Sequence, residues 1–406
     1  MNNIKYKKRK SKNFSGNTNH SAKRPSDRSR SRNPRSTISS DLLIRKAEIV
    51  GQNAYTPSRS FEQWPVDNRV KQNLTVKGYK YPTQIQEETI EHLISGRDLL
   101  GIANTGTGKT GAFLIPIIEQ LLREPRPFKS LVVVPTRELA LQVEMELKSL
   151  TQGLKIYSAS FIGGTNINRD LSRLRRPFHI SIGTPGRLLD LASRGALNLS
   201  DTSILVLDEF DRMLDMGFIK DVQKLVAAMS KRRQTMLFSA TLDHTQRSLI
   251  DQLLSDPVEV KVSSGNTTAK QVEQDVIRVP REGDKFAMLL DLIAQKEFEK
   301  VLIFAETKRL VNRVTKRLNG SGVAVDQIHG NKTQNYRNKA LDKFRSGKVK
   351  VLVATDVAAR GIDISDITHV INYQIPVSYD SYIHRIGRTG RAGKTGKAFT
   401  FVDQAN

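Results

Sequence analysis

Residues 99–110, which read LLGIANTGTGKT, decide the fold of this chain because they join a buried strand to a glycine-rich loop and a helix start. Residues 103–110 follow the pattern of a phosphate-binding loop, with Ala103 where the strict pattern has glycine. Glycines let backbone N–H groups come close to phosphates, and the N-terminus of the following helix adds its dipole. A chance glycine-rich turn is the alternative, which the strand–loop–helix order disfavours. The residues predicted to hold a nucleotide here are Thr105, Gly106, Thr107, Gly108, Lys109 and Thr110.

Two acids stand where another buried strand ends. Asp208 and Glu209 follow the apolar run at 204–207. We predict that Asp208 and the Thr110 hydroxyl hold Mg²⁺, and that Glu209 is the base that orients an attacking water. An ordinary acidic helix start is the alternative. Because Lys109 is expected to reach the β- and γ-phosphates of ATP, the catalytic reading is favoured.

Short apolar runs alternate with helical periodicity from about residue 60 onward. The runs at 99–103, 130–134, 179–182, 204–207 and 236–238 read as buried strands, each followed by an amphipathic stretch. This alternation predicts a parallel sheet covered on both faces. A Ser-Ser-Gly-Asn-Thr-Thr stretch at 263–268 predicts a linker near residues 255–275.

After that linker the alternation resumes with runs at 301–305, 323–328, 349–354 and 369–373. The sequence therefore predicts an α/β protein with two parallel-sheet domains, at 46–258 and 259–406. A cleft between two such domains is where a ligand is expected.

Composition points to a polyanionic partner. The 406 residues hold 65 Lys or Arg against 41 Asp or Glu, a formal net charge of +24. Lys and Arg neutralise phosphates and release their counterions, although a merely soluble basic surface is the alternative. The absence of cysteine excludes disulfides, zinc–thiolate clusters and thiol catalysis. Apolar runs such as residues 112–118 are too short to span a bilayer, so we expect no membrane association and a cytoplasmic location.

The N-terminal stretch is the most basic part of the chain. Residues 1–40 contain twelve Lys or Arg and a single acid, Asp27. With almost nothing to bury, residues 1–45 are predicted to form a disordered basic arm. An RNA-gripping tail, a nuclear import signal and a transit peptide are the three candidate roles, and the lack of apolar residues disfavours the last.

Several further motifs, together with the loop and the acids, carry a family resemblance. They are DEFD at 208–211, SAT at 239–241, HRIGRTGR at 384–391, and Phe61 with GYKYPTQIQ at 78–86. Along the chain these elements appear in the family's order over roughly residues 61–402, and the chain resembles a bacterial-like minimal core of the DEAD-box ATP-dependent RNA helicases of superfamily 2. The resemblance implies two tandem RecA-like domains that use ATP and Mg²⁺.

The resemblance also implies roles for single residues. It implies that Arg388 and Arg391 are arginine fingers that reach the γ-phosphate from the second domain. The guanidinium group suits this role because its N–H groups match phosphate oxygens. Phe61 stacks on adenine, Gln84 reads its edge beside Tyr79, and Asp363 contacts the ribose. The residues implied to couple the ATP and RNA sites are Asp211, Ser239, Thr241 and His384.

RNA contacts are likewise implied motif by motif. Thr, Gly and Arg at strand-to-helix junctions can bind phosphates without reading bases, although each alone could be a turn or a helix cap. In the first domain these residues are Pro135, Thr136, Arg137, Gly163, Gly164, Thr184, Pro185, Gly186 and Arg187. In the second domain they are Gln334, Arg337, Thr355, Asp356, Arg360 and Gly361.

The chain departs from the family at the third residue of the acidic motif. Phe210 stands where the family usually has alanine, and a bulky ring there is expected to repack the SAT element or the arginine-rich motif. The two metal-site acids are intact, so ATPase activity is still expected. No C-terminal recognition domain is expected beyond the run at 397–402.

The resulting hypothesis is an RNA-dependent ATPase that unwinds short RNA duplexes by closing its two domains, independently of sequence and as a monomer. Its partners would be single-stranded or short duplex RNA, in a ribosomal or messenger ribonucleoprotein. An ATP-gated RNA clamp or annealing chaperone, driven by the basic arm, is the main alternative. A DNA translocase of the same superfamily is disfavoured by the residues around 78–86.

Overall fold

The structure is a computed structural model that describes residues 38–39, 43–46, 55–104, 106–124, 129–242, 244–262, 272–359, 366–390 and 395–404. Most of the predicted basic arm therefore lies outside the described residues. The same holds for the candidate site residues Thr105, Arg360, Gly361, Asp363 and Arg391. No helix in the described ranges is long and apolar enough to cross a membrane.

Seven parallel strands form the first sheet. In the order β3-β4-β2-β5-β6-β1-β7 they are β3 (Ser158–Phe161), β4 (Ile180–Gly183), β2 (Lys129–Val133), β5 (Thr202–Leu207), β6 (Gln234–Ser239), β1 (Leu99–Ile102) and β7 (Val258–Lys261). The inner strands are buried along their length, as expected for a sheet with helices on both faces.

The helices of the first domain follow these strands in alternation. They are α1 (Asn68–Val76), α2 (Gln84–Ile94), α3 (Lys109–Arg123), α4 (Arg137–Leu150), α5 (Ile167–Leu174), α6 (Pro185–Ser193), α7 (Phe210–Asp215), α8 (Ile219–Ala227) and α9 (His244–Leu253). Several begin at capping residues directly after a strand, such as Thr136 before α4, whose hydroxyl accepts a hydrogen bond from Leu139. Capping places the loops that start these helices at the carboxyl edge of the sheet.

Six parallel strands form the second sheet. In the order β10-β11-β9-β12-β13-β8 they are β10 (Val325–Ile328), β11 (Val351–Ala354), β9 (Val301–Phe304), β12 (His369–Asn372), β13 (Gly396–Asp403) and β8 (Val272–Val279). The helices of this domain are α10 (Lys285–Ala294), α11 (Lys308–Gly320), α12 (Gln334–Arg345), α13 (Asp356–Ala359) and α14 (Tyr379–Ile386).

The prediction of two parallel-sheet α/β domains is confirmed. Every predicted strand is present, and β3, β7 and β8 are additional. β7 and β8 are short or half-exposed edge strands. Because they mix polar and apolar residues, they contain no apolar run that would predict a buried strand.

The structure corrects both predicted borders of the first domain. β7 pairs with β1 and extends the first domain to Lys261, inside the predicted linker. At the other border, Leu43 lies in the predicted basic arm, yet its side chain is buried in the core of the second domain. The predicted arm was therefore drawn a few residues too long.

Candidate nucleotide and RNA site

The phosphate-binding loop joins β1 to α3 at the carboxyl edge of the first sheet. Gly106 and Gly108 have φ of 85° and 96°, a left-handed conformation that favours glycine, and α3 begins directly after Gly108. The side chain of Lys109 is buried, and its ammonium donates a 2.8 Å hydrogen bond to the carbonyl of Ala103. The loop therefore folds back over its own lysine, which places the cation beside the helix N-terminus.

Gln86, which the sequence prediction passed over, is the glutamine that contacts this loop. Its side-chain amide donates to the Gly108 carbonyl at 3.0 Å and accepts from the N–H of Thr83 at 2.9 Å. Gln84 instead donates to Glu88 at 2.7 Å, one turn along α2. Gln86 is therefore the glutamine of this segment that lies against the phosphate-binding loop, while the assignment of the adenine edge to Gln84 stays a prediction. The spacing Thr83-x-x-Gln86 of a capping box was the available signal.

The two aromatic candidates for the nucleotide site contact other residues of the first domain. Phe61 is only 2% exposed and packs edge-on against Trp64, with ring centroids 5.4 Å apart. The Tyr79 hydroxyl donates a 3.0 Å hydrogen bond to Glu146, and burial, with Glu146, raises the pKa of Tyr79 to about 12. Phe61 is buried and Tyr79 is half-buried, and their contacts with the nucleotide stay predictions.

The acidic pair at the end of β5 is buried, and its two carboxyl groups differ electrostatically. Burial raises the pKa of Asp208 to about 6, against the opposing charge of Lys109. Burial also acts to raise the pKa of Glu209, but the guanidinium of Arg212, which pairs with it, outweighs that effect. The charges of Lys109 and Arg388 act in the same direction, so the pKa of Glu209 lies below its ordinary value. Glu209 is thus held ionised, as a base must be.

Glu209 also has an unusual backbone. Its φ of 54° and ψ of 54° are left-handed, which is uncommon for a residue other than glycine. This geometry turns the chain from β5 into α7. Such positions cluster at functional sites, and the carboxylate of this residue pairs with Arg212.

Asp211 connects the acidic motif to the SAT element. One of its carboxylate oxygens accepts hydrogen bonds from the N–H of Ala240, the N–H of Thr241 and the Thr241 hydroxyl, at 3.2–3.3 Å. The N–H of Asp211 donates to the Ser239 hydroxyl at 3.3 Å, and that hydroxyl donates to the Thr241 carbonyl at 2.7 Å. The predicted coupling residues of the first domain therefore form one hydrogen-bonded unit.

Phe210 directly precedes Asp211 in the chain. Its side chain is fully buried in the apolar core that also contains Leu100, Leu207 and Leu237. The hydrogen bonds between Asp211 and the SAT element form beside this buried ring. The Phe210 side chain is thus a core residue here, and its effect on the SAT element or the arginine-rich motif stays a prediction.

The arginine-rich motif of the second domain lies near the acidic pair of the first domain. Arg388 is buried and close enough for its charge to lower the pKa of Glu209 in the first domain. The Arg388 side chain is steadied by a 3.3 Å hydrogen bond from Nε to the carbonyl of His384. His384 thus contributes a backbone acceptor that orients this arginine.

Arg137 lies over the glycine pair of the first domain. A Cβ on Gly164 would collide with its guanidinium, and the φ of 76° there favours glycine, whereas a Cβ on Gly163 would be in ordinary contact at 3.4 Å. The Gly163 N–H donates to the Thr184 hydroxyl at 3.4 Å. These predicted RNA-binding residues are therefore neighbours, although they come from three separate strands.

Arg137 also belongs to a cross-domain cluster that the sequence did not reveal. Its guanidinium donates to Gln334 of the second domain at 3.3 Å. Gln334 donates to Glu138 at 2.9 Å, and Arg337 pairs with the same carboxylate at 2.9 Å. All three distances join α4 of the first domain to α12 of the second, so Glu138 is the acid that bridges the domains.

The remaining RNA candidates divide into two groups. Pro135, Thr136, Thr184, Pro185 and Gly186 lie at strand-to-helix junctions of the first sheet, and Thr355 occupies the corresponding place after β11. Two charged candidates are already paired. Arg187 binds Asp170 at 2.7 Å, and Asp356 forms two 2.6 Å hydrogen bonds with Arg385. Asp356 is therefore a positioning residue in this structure, and Arg385 is its missed partner.

Comparisons with known proteins agree with these features. Residues 83–249 match the DEAD/DEAH box helicase family, and residues 284–393 match the helicase conserved C-terminal domain. The chain is 42% identical over 326 residues to the RNA helicase CrhR of Synechocystis sp., with 80% of this chain and 66% of the relative covered. It is 42% identical over 342 residues to the ATP-dependent RNA helicase CshA of Listeria monocytogenes, with 84% and 66% covered.

Among solved structures, the chain is similar to S. cerevisiae Dbp5 bound to RNA and ADP BeF3, with a TM-score of 0.76 and 29% identity. That match covers 86% of this chain and 90% of Dbp5 as solved. The chain spans just under two thirds of the length of the two curated relatives, 66% in each case. Since the two family matches together cover more than half of its residues, the chain belongs to the DEAD/DEAH box helicase family.

Proposed function

We propose that this chain is an RNA-dependent ATPase that separates short RNA duplexes by closing its two domains. The main support is the position of Arg388, a cation of the second domain whose charge reaches Glu209 in the first. A base in one domain and a phosphate-stabilising cation in the other can act together only when the domains are closed.

ATP fits the loop at the carboxyl edge of the first sheet. The N–H groups at the start of α3 and the Lys109 ammonium suit its β- and γ-phosphates. Mg²⁺ in nucleotide sites is commonly held by one or two carboxylates and by the phosphates. Asp208 and the Thr110 hydroxyl would hold Mg²⁺, which when bound neutralises phosphate charge. Asp208 gains from this, because a nearby cation favours its ionised form.

Hydrolysis then depends on groups of this chain. Glu209, kept ionised by Arg212, orients the attacking water and accepts its proton. Arg388 stabilises the charge that builds up on the transferred phosphoryl group. Arg391, which lies outside the described residues, is assigned the same role by its motif.

RNA is proposed to bind across both domains through its backbone. Arg137 and the glycine pair offer a guanidinium and N–H groups without any base-reading side chain, which favours sequence-independent binding. Dbp5, the structural relative, is bound to RNA in its solved form. We further propose that the chain acts in the cytoplasm, as a monomer, on ribonucleoprotein RNA.

The cross-domain cluster explains how RNA and ATP would cooperate. Glu138, Gln334 and Arg337 meet only if α4 and α12 are close, and Arg137 ties this cluster to the RNA candidates. A ligand that requires the closed state stabilises it, so each ligand should tighten the binding of the other.

The test is steady-state ATP hydrolysis with and without unstructured single-stranded RNA, using Glu209→Gln as the blank. Strong stimulation by RNA, lost in the variant by about 10²–10⁴-fold, is expected for loss of a general base. Single-stranded DNA of the same sequence is the control for the nucleic acid. Hydrolysis that RNA does not change would contradict the proposal. Stimulation without separation of a duplex of about ten base pairs would instead support the RNA-clamp alternative.

A further inference from the structure

β8, the edge strand of the second sheet, is paired on its outer side with a segment from far upstream in the chain. The N–H of Arg45 donates to the Gln274 carbonyl at 2.9 Å, and the N–H of Gln274 donates to the Arg45 carbonyl at 2.7 Å. This reciprocal pair is the antiparallel pattern by which an extended peptide is added to a free sheet edge.

An apolar side chain of this segment is buried next to the paired residue. Leu43 is 0% exposed and belongs to the apolar core that contains Val272 and Tyr382, whereas its neighbour Ile44 is 51% exposed. Ile38 packs against the same core. The Tyr382 hydroxyl donates to the Gln274 side chain at 3.0 Å, which fixes the residue that the segment pairs with. The segment is therefore docked by both its backbone and one apolar anchor.

From there the chain enters the first domain within a few residues. The Ser58 N–H donates to Glu87 of α2 at 3.1 Å, and Arg59 pairs with Glu91 of the same helix. Nine residue steps separate Lys46 from Tyr55. An extended chain spans at most about 3.3–3.6 Å per residue, so those two residues can never be more than roughly 30 Å apart.

We propose that residues 43–46, together with Ile38, form an interdomain docking segment, and that the outer edge of β8 is the surface that receives it. The chain thereby links the two domains twice, once through residues 47–54 and once through residues 262–272. The docked segment limits how far the domains separate and raises their effective concentration toward each other. Its effect on RNA binding rests on the proposed function, whereas its effect on domain separation does not.

Energy transfer between two dyes tests the separation directly, and the absence of cysteine in the chain allows site-specific labelling. Suitable positions are Val76→Cys in the first domain, 81% exposed, and Asp342→Cys in the second, whose side chain is 72% exposed. In the ligand-free protein, Leu43→Asp should lower and broaden the transfer efficiency, because a buried anchor becomes charged. Ile44→Asp is the matched control, with the same charge change at the exposed neighbour, and should leave the transfer unchanged.

Activity supplies the second measurement. Leu43→Asp should raise the KM for RNA about fivefold, at the low end of typical coupling between linked equilibria, with kcat at saturating RNA and ATP unchanged. A fall in kcat would mean that the second domain had lost its fold. An insertion of twelve Gly and Ser residues after Asn53 avoids that problem, because it keeps Leu43 docked and only lengthens the link.

The outcomes are distinct. Lower transfer in both Leu43→Asp and the insertion variant supports the docking segment. Equal transfer in Leu43→Asp and Ile44→Asp overturns it, and an insertion without effect overturns its role as a link. Because the ligand-free transfer requires neither ATP nor RNA, these results hold even if the chain proves not to be an RNA-dependent ATPase.

Discussion

The two domains share one fold but prepare their functional groups differently. In the first domain these groups bind one another: Lys109 donates to Ala103, Gln86 to Gly108, and the SAT element to Asp211. In the second domain the strongest polar contact at the equivalent edge, Arg385 with Asp356, is internal. The first domain therefore holds an assembled site, while the second contributes through the placement of a few side chains.

This difference has a physical basis in where each group finds its partner. Gln334 and Arg337 take their acceptor, Glu138, from the first domain. Arg388 likewise influences Glu209 across the cleft. In the proposed closure, movement of the second domain would change these cross-domain contacts together and leave the hydrogen bonds of the loop and the SAT element intact. Closure of this kind would switch hydrolysis on without rebuilding the nucleotide pocket.

The largest effect is expected from Arg388→Ala. Loss of an arginine finger should lower the RNA-stimulated kcat by about 10³-fold, while ATP still binds to the first domain. Single-turnover hydrolysis and binding of a fluorescent nucleotide measure the two effects separately. Arg385→Ala is the contrasting variant, since it removes a buried guanidinium, leaves partly buried Asp356 without its partner and should lower the unfolding temperature instead. Equal kcat in Arg388→Ala and the wild type would mean that the second domain contributes no finger at this position.

Phe210→Ala should destabilise the first domain selectively. Removing a fully buried phenylalanine costs about 3–5 kcal/mol, because a cavity remains. Hydrogen exchange measured peptide by peptide should show faster exchange in β5 and β6, with little change in kcat per folded molecule. Phe344→Ala, equally buried in the second domain, is the matched control and should affect β10 and β11 instead. A large loss of kcat in Phe210→Ala would show that the ring does govern coupling.

The smallest effect concerns acid stability of the second domain and depends on His369. Burial between Phe298 and Phe399, aided by the charge of Lys397, lowers the pKa of His369 to about 4. The unfolded chain, with an ordinary histidine pKa near 6.5, takes up its proton first as the pH falls. The free energy of unfolding should therefore decrease between pH 6.5 and 4, by up to about 3 kcal/mol from this group.

His369→Gln removes the titration and should flatten that part of the pH profile, as measured by urea denaturation. At pH 7.5 both states carry a neutral histidine, so the variant and the wild type should show no pH-dependent difference there. A wild-type profile that stays parallel to that of the variant down to pH 4 would contradict this assignment.

Much of the site was predictable because its motifs are local. The glycine-rich loop and the acidic pair occupy consecutive residues after an apolar strand, so their chemistry can be read without knowing the fold. The contact of Gln86 with this loop was not predictable, because spacing alone does not show which side chain of a helix faces a neighbouring loop. The contacts of Tyr79 with Glu146 and of Phe61 with Trp64 likewise depend on packing within the first domain.

The orientation of the Phe210 side chain was also not predictable from the sequence. Its bulk was expected to disturb the SAT element, but the direction of a side chain on α7 depends on how that helix packs against β6. The structure sends the ring into the core and leaves Asp211 facing the SAT element.

Periodicity and local motifs in this chain were sufficient for two parallel α/β domains, the phosphate-binding loop and the acidic pair, because strands, turns and loops depend on neighbouring residues. The bridge from Glu138 to Gln334 and Arg337, and the docking of Leu43 and Arg45 on β8, join residues about 200 or more positions apart. Such contacts follow from how whole elements pack, which no local pattern encodes. The fold could therefore be read from the order of residues, whereas the connection between the domains required their arrangement in space.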